Sequence, residues 1–467
     1  MYLTNYYYET KLPSGEIMLV NFLTGKVFHI QERIRKAIRN WKTTGDLSAL
    51  DFLIHHQFLF TDREEEQKLI GEKAERYQAG LKEKTKLYGL CLTYDCNLRC
   101  PYCYENGIGR QGTLMSAEMI DRAIRGIGEL NEKLESKSSL LVLFGGEPFM
   151  ECNRKAVEYF FDAAEKFCIR ERENGRKCRM VLFSNGYELA GFLPLLERYR
   201  KDIDSIMLTL NGTKEVHDKL KRPVDAGSSF DRTVNAIERL LEMEIPVNVR
   251  CDVDKTNIRF LSHTADFVME RGWQENPLFR YYISPIKWKD DGTCLSEGEI
   301  LKSFLKLDGI HGGKLSAVFE LGALRLVHNM VGMLDGSGEG SMAYFYCEAV
   351  KQQQYVFGTD GYIYKCLSSI GKPELAFGEY GDGVIMYGGR EERWSVRNVL
   401  SIPKCRECRF AFVCGGGCAL AAEQGGDLYE PKCEDVRTVV DGCLYAADKG
   451  KNIISYGFYY DENAGEH

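Results

Sequence analysis

The chain has 467 residues, too many for a single ordinary hydrophobic core, so roughly two to four domains are expected. Its 44% hydrophobic and 28% charged residues exclude a disordered or fibrous chain, and a formal net charge of −7 without any basic, aromatic-interleaved run argues against nucleic acid as a partner. With no secretory signal and no apolar run long enough for a bilayer, a cytoplasmic protein without membrane contact is expected.

Residues 1–62 read as a small module: "GEIMLVNF" and "VFHI" flank an "LTGK" turn as a hairpin, and "ERIRKAIRNW" has helical periodicity. "DFLIHHQFLF" fits strand or helix. Residues 63–87 alternate in charge and predict a solvated linker helix. Over residues 88–290 short apolar runs ("YGLCLTYD", "SLLVLF", "RMVLFS", "SIMLTL", "PVNVRCDV", "FRYYISPI") alternate with amphipathic segments such as "FDRTVNAIERLLEM". Such alternation predicts right-handed βαβ units on a parallel sheet, and six of them predict a partial barrel with its chemistry at the C-terminal strand ends. Residues 291–346 read as a connecting region, and residues 347–467 as a Gly- and Cys-rich domain.

Seventeen cysteines without an export signal point to metal or redox chemistry rather than disulfides. Cys96, Cys100 and Cys103 stand C-x3-C-x2-C after the first barrel strand, with no histidine nearby. Iron–sulfur clusters are held by such thiolates, whereas structural zinc, the alternative, takes four closed ligands. This loop resembles the signature of the radical S-adenosylmethionine (radical SAM) enzymes, with Tyr102 in the aromatic position. The resemblance implies a [4Fe–4S] cluster whose free iron chelates SAM and delivers an electron that yields a 5′-deoxyadenosyl radical. It also implies that Gly145, Gly146, Glu147 and Pro148 meet the SAM amino group, their glycines letting backbone approach the ligand. Ser184 and Asn185 in "FSNG" and Thr209 in "TLNGTKEVHDKLKR" complete that pattern, Thr209 facing the ribose. Asn211 replaces an expected Asp, Lys221 and Arg222 compete for the SAM carboxylate, and Arg222 and Arg250 are taken as the cations there. A structural ion pair explains Arg250 equally well, His217 reads as a helix-start residue, and no catalytic base is assigned.

Later, Cys347 precedes Gly361 and Cys366, then Cys405, Cys408, Cys414 and Cys418 run C-x2-C-x5-C-x3-C before Cys433. The pattern resembles the SPASM extension of peptide-modifying radical SAM enzymes, zinc ribbons being the alternative. That resemblance implies two auxiliary [4Fe–4S] clusters, three in all. The distal one would take Cys405, Cys408, Cys414 and Cys433, and the nearer one Cys347, Cys366 and Cys418. Where some relatives supply a fourth cysteine this chain has Gln353, so Cys443, another side chain or an open, substrate-binding iron completes the nearer cluster. Cys91, Cys152, Cys168, Cys178, Cys251 and Cys294 have no motif and are expected to be small buried hydrophobes.

The N-terminal module looks like the recognition domain of ribosomal-peptide maturases, which would add a leader peptide to a sheet edge, unless it only caps the barrel. The expectation is therefore an α/β protein: a partial (β/α)6 radical SAM barrel, a small N-terminal α+β module and a cysteine-rich SPASM domain. Such a maturase would close a crosslink in a ribosomally made precursor peptide, first of all a cysteine thioether, with a flavodoxin or ferredoxin as electron donor. The alternatives are carbon–carbon or carbon–oxygen crosslinking, formylglycine-type oxidation of a protein Cys or Ser, and a non-enzymatic iron–sulfur redox sensor.

Overall fold

The computed structural model describes residues 1–106, 108–109, 113–287, 289, 291–334 and 342–450; the last residues of the expected C-terminal domain, 451–467, lie outside them. The N-terminal module is a three-stranded antiparallel sheet, β2 (Tyr7–Lys11), β3 (Ile17–Asn21) and β4 (Lys26–Ile30), beside a pairing of β1 (Tyr2–Leu3) with β5 (Leu59–Phe60). The β3–β4 hairpin is the predicted one, turned at Gly25 with φ +66°. The sequence reading missed β2, "YYETK", because its polar residues break the alternation that marks a strand. "DFLIHHQFLF" is both things at once: the helix Leu47–His55 ends inside it, Gln57 turns the chain at φ 59°, and β5 follows.

All of β3 is buried, so the sheet is covered on both faces. Ile17 and Leu19 pack with Ile34, Ile38 and Leu53 of the module's helices and with Phe58 in the turn before β5. Met18 and Val20 point the other way into the main core of the molecule. The helix Arg63–Glu83, capped by Asp62 accepting from the Glu65 amide, is less solvated than its charge pattern suggests. Ile70 and Glu66 are buried, and Tyr77 packs on Tyr344 and Phe345.

Six parallel strands follow in spatial order: β6 (Lys86–Cys91), β7 (Ser138–Phe144), β8 (Lys177–Phe183), β9 (Ile203–Thr209), β10 (Val247–Val253) and β11 (Phe279–Pro285). They read as nearly continuous apolar runs because helices cover one face and the barrel interior the other. This is the expected partial barrel. The free edge of β6 is taken by β12 (Gln354–Phe357), in parallel register from Gln354↔Leu87 to Phe357↔Leu90. Three antiparallel strands, β13 (Tyr362–Tyr364), β14 (Gly378–Tyr380) and β15 (Val384–Met386), extend the sheet to ten strands. The cysteine-rich region is thus bonded to the barrel through one backbone ladder. Helices Glu297–Ile310 and Arg325–Leu334 lie between, packed on the helix Val436–Asp448.

Candidate active site at the strand ends

The Cys96–Cys103 loop leaves the C-terminal end of β6 and is gripped by its neighbours. Gly145, at φ +140°, and Gly146 follow β7, and their amide partners lie in the cysteine loop: Gly146 N–H donates to Thr93 O at 2.8 Å and Glu147 N–H to Asp95 O at 2.8 Å. A Cβ at Gly145 would stand 2.3 Å from Thr93 O, and one at Gly146 2.1 Å from Asp95 O. The glycines therefore have a role the sequence reading did not give them: they allow close approach of backbone to backbone between this loop and the segment leading to the cysteines.

Glu147 then ties this loop to the next. Its buried carboxylate accepts from Ser184 Oγ (2.8 Å), Phe149 N–H (3.0 Å) and Asn185 N–H (2.5 Å). Burial drives its pKa up to about 7, against the pull of those hydrogen bonds and of Lys221. Asn185 Nδ2 donates to Asn97 Oδ1 at 2.8 Å and lies 3.7 Å from Cys96 Sγ. Pro148 is buried beside it, its carbonyl accepting from Asn153 Nδ2 at 3.3 Å. Ser184 and Asn185 therefore serve the architecture of the cysteine loop, whatever else they touch.

Asn211 is a second hub. It donates from its side-chain amide to Tyr102 Oη, accepts at Oδ1 from Asp252 N–H (2.8 Å), and its backbone N–H donates to His217 Nδ1 (3.0 Å). His217 is fully buried, and burial followed by the charge of Lys221 holds its pKa well below the usual imidazole value. It is a neutral acceptor that seats a helix start, as the sequence suggested. Thr209 ends β9 and is buried, in register with Arg250 on β10. Arg250 Nε lies 2.9 Å from Asp252 Oδ1, so the ion-pair alternative has its partner two residues along the same strand.

Chain direction decides between Lys221 and Arg222. Residues 222–224 are zipped onto the cysteine loop by Arg99 N–H to Arg222 O (2.7 Å) and Val224 N–H to Asn97 O (2.9 Å). In such extended chain neighbouring side chains face opposite ways. Lys221 is buried, and its charge acts on Cys96 and Glu147; Arg222 is exposed and donates from Nε to Lys219 O at 2.9 Å. Of the two expected competitors, Lys221 is the inward cation and Arg222 the outward one.

Burial, with a smaller push from Glu147, lifts the Cys96 thiol to about 12, while Cys100 packs against the cluster of Tyr102, Leu220 and Ile286. Among the described residues no three His, Cys, Asp or Glu side chains converge tightly enough for a single metal ion. Tetrahedral zinc needs thiolates within about 3.8 Å of one another.

The later cysteines form two groups. Cys347 and Cys418 both act electrostatically on Cys366, and Cys418 acts on Cys347. Cys408 and Cys433 act on Cys405, and Cys405 and Cys433 on Cys414. What gathers them is a run the sequence reading passed over. Gly415, Gly416 and Gly417, at φ +72°, +86° and +76°, sit between Cys414 and Cys418. A Cβ on each would meet Phe345 O at 2.7 Å, Ile402 Cδ1 at 2.6 Å and Lys432 O at 2.0 Å. The run is pressed onto the segments leading to Cys347, Cys405 and Cys433; three successive glycines between two cysteines were the available signal.

Cys443 is buried where the helix Val436–Asp448 packs on Glu297–Ile310. One expectation fails here. Cys152 is exposed and Cys294 half-buried rather than buried; Cys91, Cys168, Cys178 and Cys251 are buried. Gln353 is buried and accepts Leu87 N–H through its carbonyl at 2.7 Å. A cavity of about 240 Å³ lies between the first cysteine loop and the C-terminal region, lined by Pro101, Cys103 and Tyr104 on one side and Ser368, Lys372 and Leu420 on the other.

Residues 90–257 match the family model of the radical SAM superfamily. A cysteine-type anaerobic sulfatase-maturating enzyme of Clostridium perfringens is 20% identical over 348 residues, 69% of this chain and 85% of the relative. A serine-type enzyme of Bacteroides thetaiotaomicron is 23% identical over 394 residues, 78% and 85%. Among solved structures, anSMEcpe with bound AdoMet superposes with a TM-score of 0.57 at 15% identity, covering 78% of this chain and 98% of its own. Streptococcus suis SuiB bound to its precursor peptide SuiA superposes with a TM-score of 0.54 at 15% identity, covering 93% and 99%.

Proposed function

Residues 90–257 are a radical SAM domain, and from that premise we propose that this enzyme closes a crosslink in a ribosomally made peptide, with a cysteine thioether as the product to seek first. One observation carries the reading. The fold shared with SuiB runs through 93% of the chain, whereas the fold shared with anSMEcpe covers 78%. Formylglycine-type oxidation is the second reading, favoured by the two sulfatase-maturating relatives.

In this reading Cys96, Cys100 and Cys103 hold a [4Fe–4S] cluster, and the loops of Gly145–Pro148, Ser184–Asn185 and Thr209 hold SAM. When bound, that pair supplies hydrogen-atom abstraction. The chain's own part is to bind, orient and exclude water. Lys221, buried beside Cys96, offers an ammonium to the SAM carboxylate. Tyr102, anchored by Asn211, closes the wall behind the cysteines. The groups of Cys347, Cys366 and Cys418, and of Cys405, Cys408, Cys414 and Cys433, hold two auxiliary clusters. A substrate side chain enters the cavity between Cys103 and Ser368, lined by the first cysteine loop and by residues two positions beyond Cys366 and Cys418. The leader lies along an edge of the β2–β3–β4 sheet, and a flavodoxin or ferredoxin delivers electrons.

The test is mass analysis of a precursor peptide after anaerobic incubation with enzyme, SAM and reductant. Loss of two hydrogens per event, with cysteines no longer alkylatable, supports a thioether. The same loss with every thiol free points to carbon–carbon or carbon–oxygen crosslinks, and an aldehyde to the second reading. No 5′-deoxyadenosine from fully clustered enzyme would overturn the enzymatic proposal in favour of a sensor.

A further inference from the structure

Arg397 is wholly buried, one of the largest side chains in the molecule with no solvent contact. Its guanidinium meets carbonyls only: Nε donates to Leu428 O at 2.6 Å, Nη1 to Gly417 O at 2.9 Å, and Nη2 to Gly416 O at 3.0 Å. Nη2 also reaches Glu430 O at 3.5 Å. Among the described residues no carboxylate pairs with it, so a full positive charge is buried against neutral acceptors. An ion in such a place is strongly disfavoured unless opposite charge is near.

The anionic groups that act on it are four cysteines, Cys347 and Cys418 of one group and Cys405 and Cys414 of the other. The geometry agrees. The point where a Cβ of Gly416 would stand is 3.8 Å from Arg397 Nη1 and 3.9 Å from Cys405 Sγ. The two carbonyls held by Nη1 and Nη2 belong to the link between Cys414, of one group, and Cys418, of the other. The missing counter-charge is therefore the thiolate charge of both groups, since the thiolate is the ligand form.

We propose that Arg397 is a shared positioning residue, whose single guanidinium fixes the Gly416–Gly417 link between the two C-terminal cysteine groups and raises the reduction potential of the clusters on both sides. This rests on the reading that those cysteines hold clusters. Potentials of iron–sulfur centres follow net charge and nearby hydrogen bonds, and a fixed cation favours the reduced, more negative state.

The experiment is anaerobic redox titration by electron paramagnetic resonance of the full-length, cluster-loaded protein, as parent, Arg397→Gln and Arg397→Lys, with iron and sulfide counted per chain. A parent holding only one cluster's iron sinks the cluster reading itself, before any variant is judged. Given a fully loaded parent, Arg397→Gln is expected to shift both auxiliary potentials negative and leave the Cys96–Cys100–Cys103 cluster unmoved, with Arg397→Lys recovering part of the shift. If Arg397→Gln instead fails to load, iron missing from both C-terminal groups and retained in Arg397→Lys is the supporting result. A change in only one group, no change in either, or a lysine variant that behaves like the glutamine one overturns the proposal.

Discussion

At the residue scale, the site depends on contacts that tolerate no added atom. Gly146→Ala would push a methyl into Asp95 O, backbone that cannot swing aside. We expect it to dislodge the Cys96–Cys103 loop and abolish iron binding there, measured as iron per chain. Gly45→Ala, with nothing within 4 Å, should leave that iron unchanged. Glu147 gives a pH prediction for the metal-free chain. Its folded pKa of about 7 lies above the unfolded value of about 4.3, so the folded state keeps a proton that the unfolded state has released. Stability therefore falls as pH rises from about 4.3 to 7, by about 3 kcal/mol from this group. Glu147→Gln cannot ionise, so urea denaturation should show the parent losing about that much relative to the variant over the same window. Lys221→Met should weaken SAM binding about 10-fold or more, the worth of a charge-assisted hydrogen bond, and Arg222→Met about 2-fold at most, read by equilibrium dialysis.

At the element scale, the N-terminal module is fastened to the segment that carries the later cysteines. Asn5 Nδ2 donates to Glu407 O at 2.6 Å, Tyr6 Oη to Arg406 O at 2.5 Å, and the rings of Tyr6, Tyr8 and Phe22 pack on Phe410 and Phe412. Removing residues 1–62 would strip Phe410 and Phe412 of those ring contacts and loosen the chain between Cys405 and Cys414. Deletion is thus expected to lower iron at that group as well as any leader affinity, and activity alone would confuse the two. Iron counting on the truncated chain separates them: full iron with lost peptide binding leaves recognition as the module's only role. The strands of the barrel were legible because each is a short apolar run bounded by turn residues. β2 was not, since its polar residues break the alternation, and Tyr8 in it packs on Phe410, a contact from distant sequence.

At the scale of the whole molecule, the ten-stranded sheet makes barrel and cysteine-rich region one folding unit. Ending the chain at residue 346 would strip β12 from β6 and expose the ladder from Leu87 to Leu90. A chain so cut is expected to aggregate, by light scattering, rather than to leave a soluble barrel. The sequence by itself determined the six-strand barrel, the cysteine spacings and the loops at the strand ends, because periodicity and ligand spacing are local and survive being read in one dimension. Only the tertiary structure decided that Lys221 rather than Arg222 faces inward, that Gly145 and Gly146 make room for backbone, that Cys443 belongs to a helix core, and that Arg397 sits between two cysteine groups. Each of those depends on which distant segments share a few ångströms, and burial and charge there are properties of the packed chain.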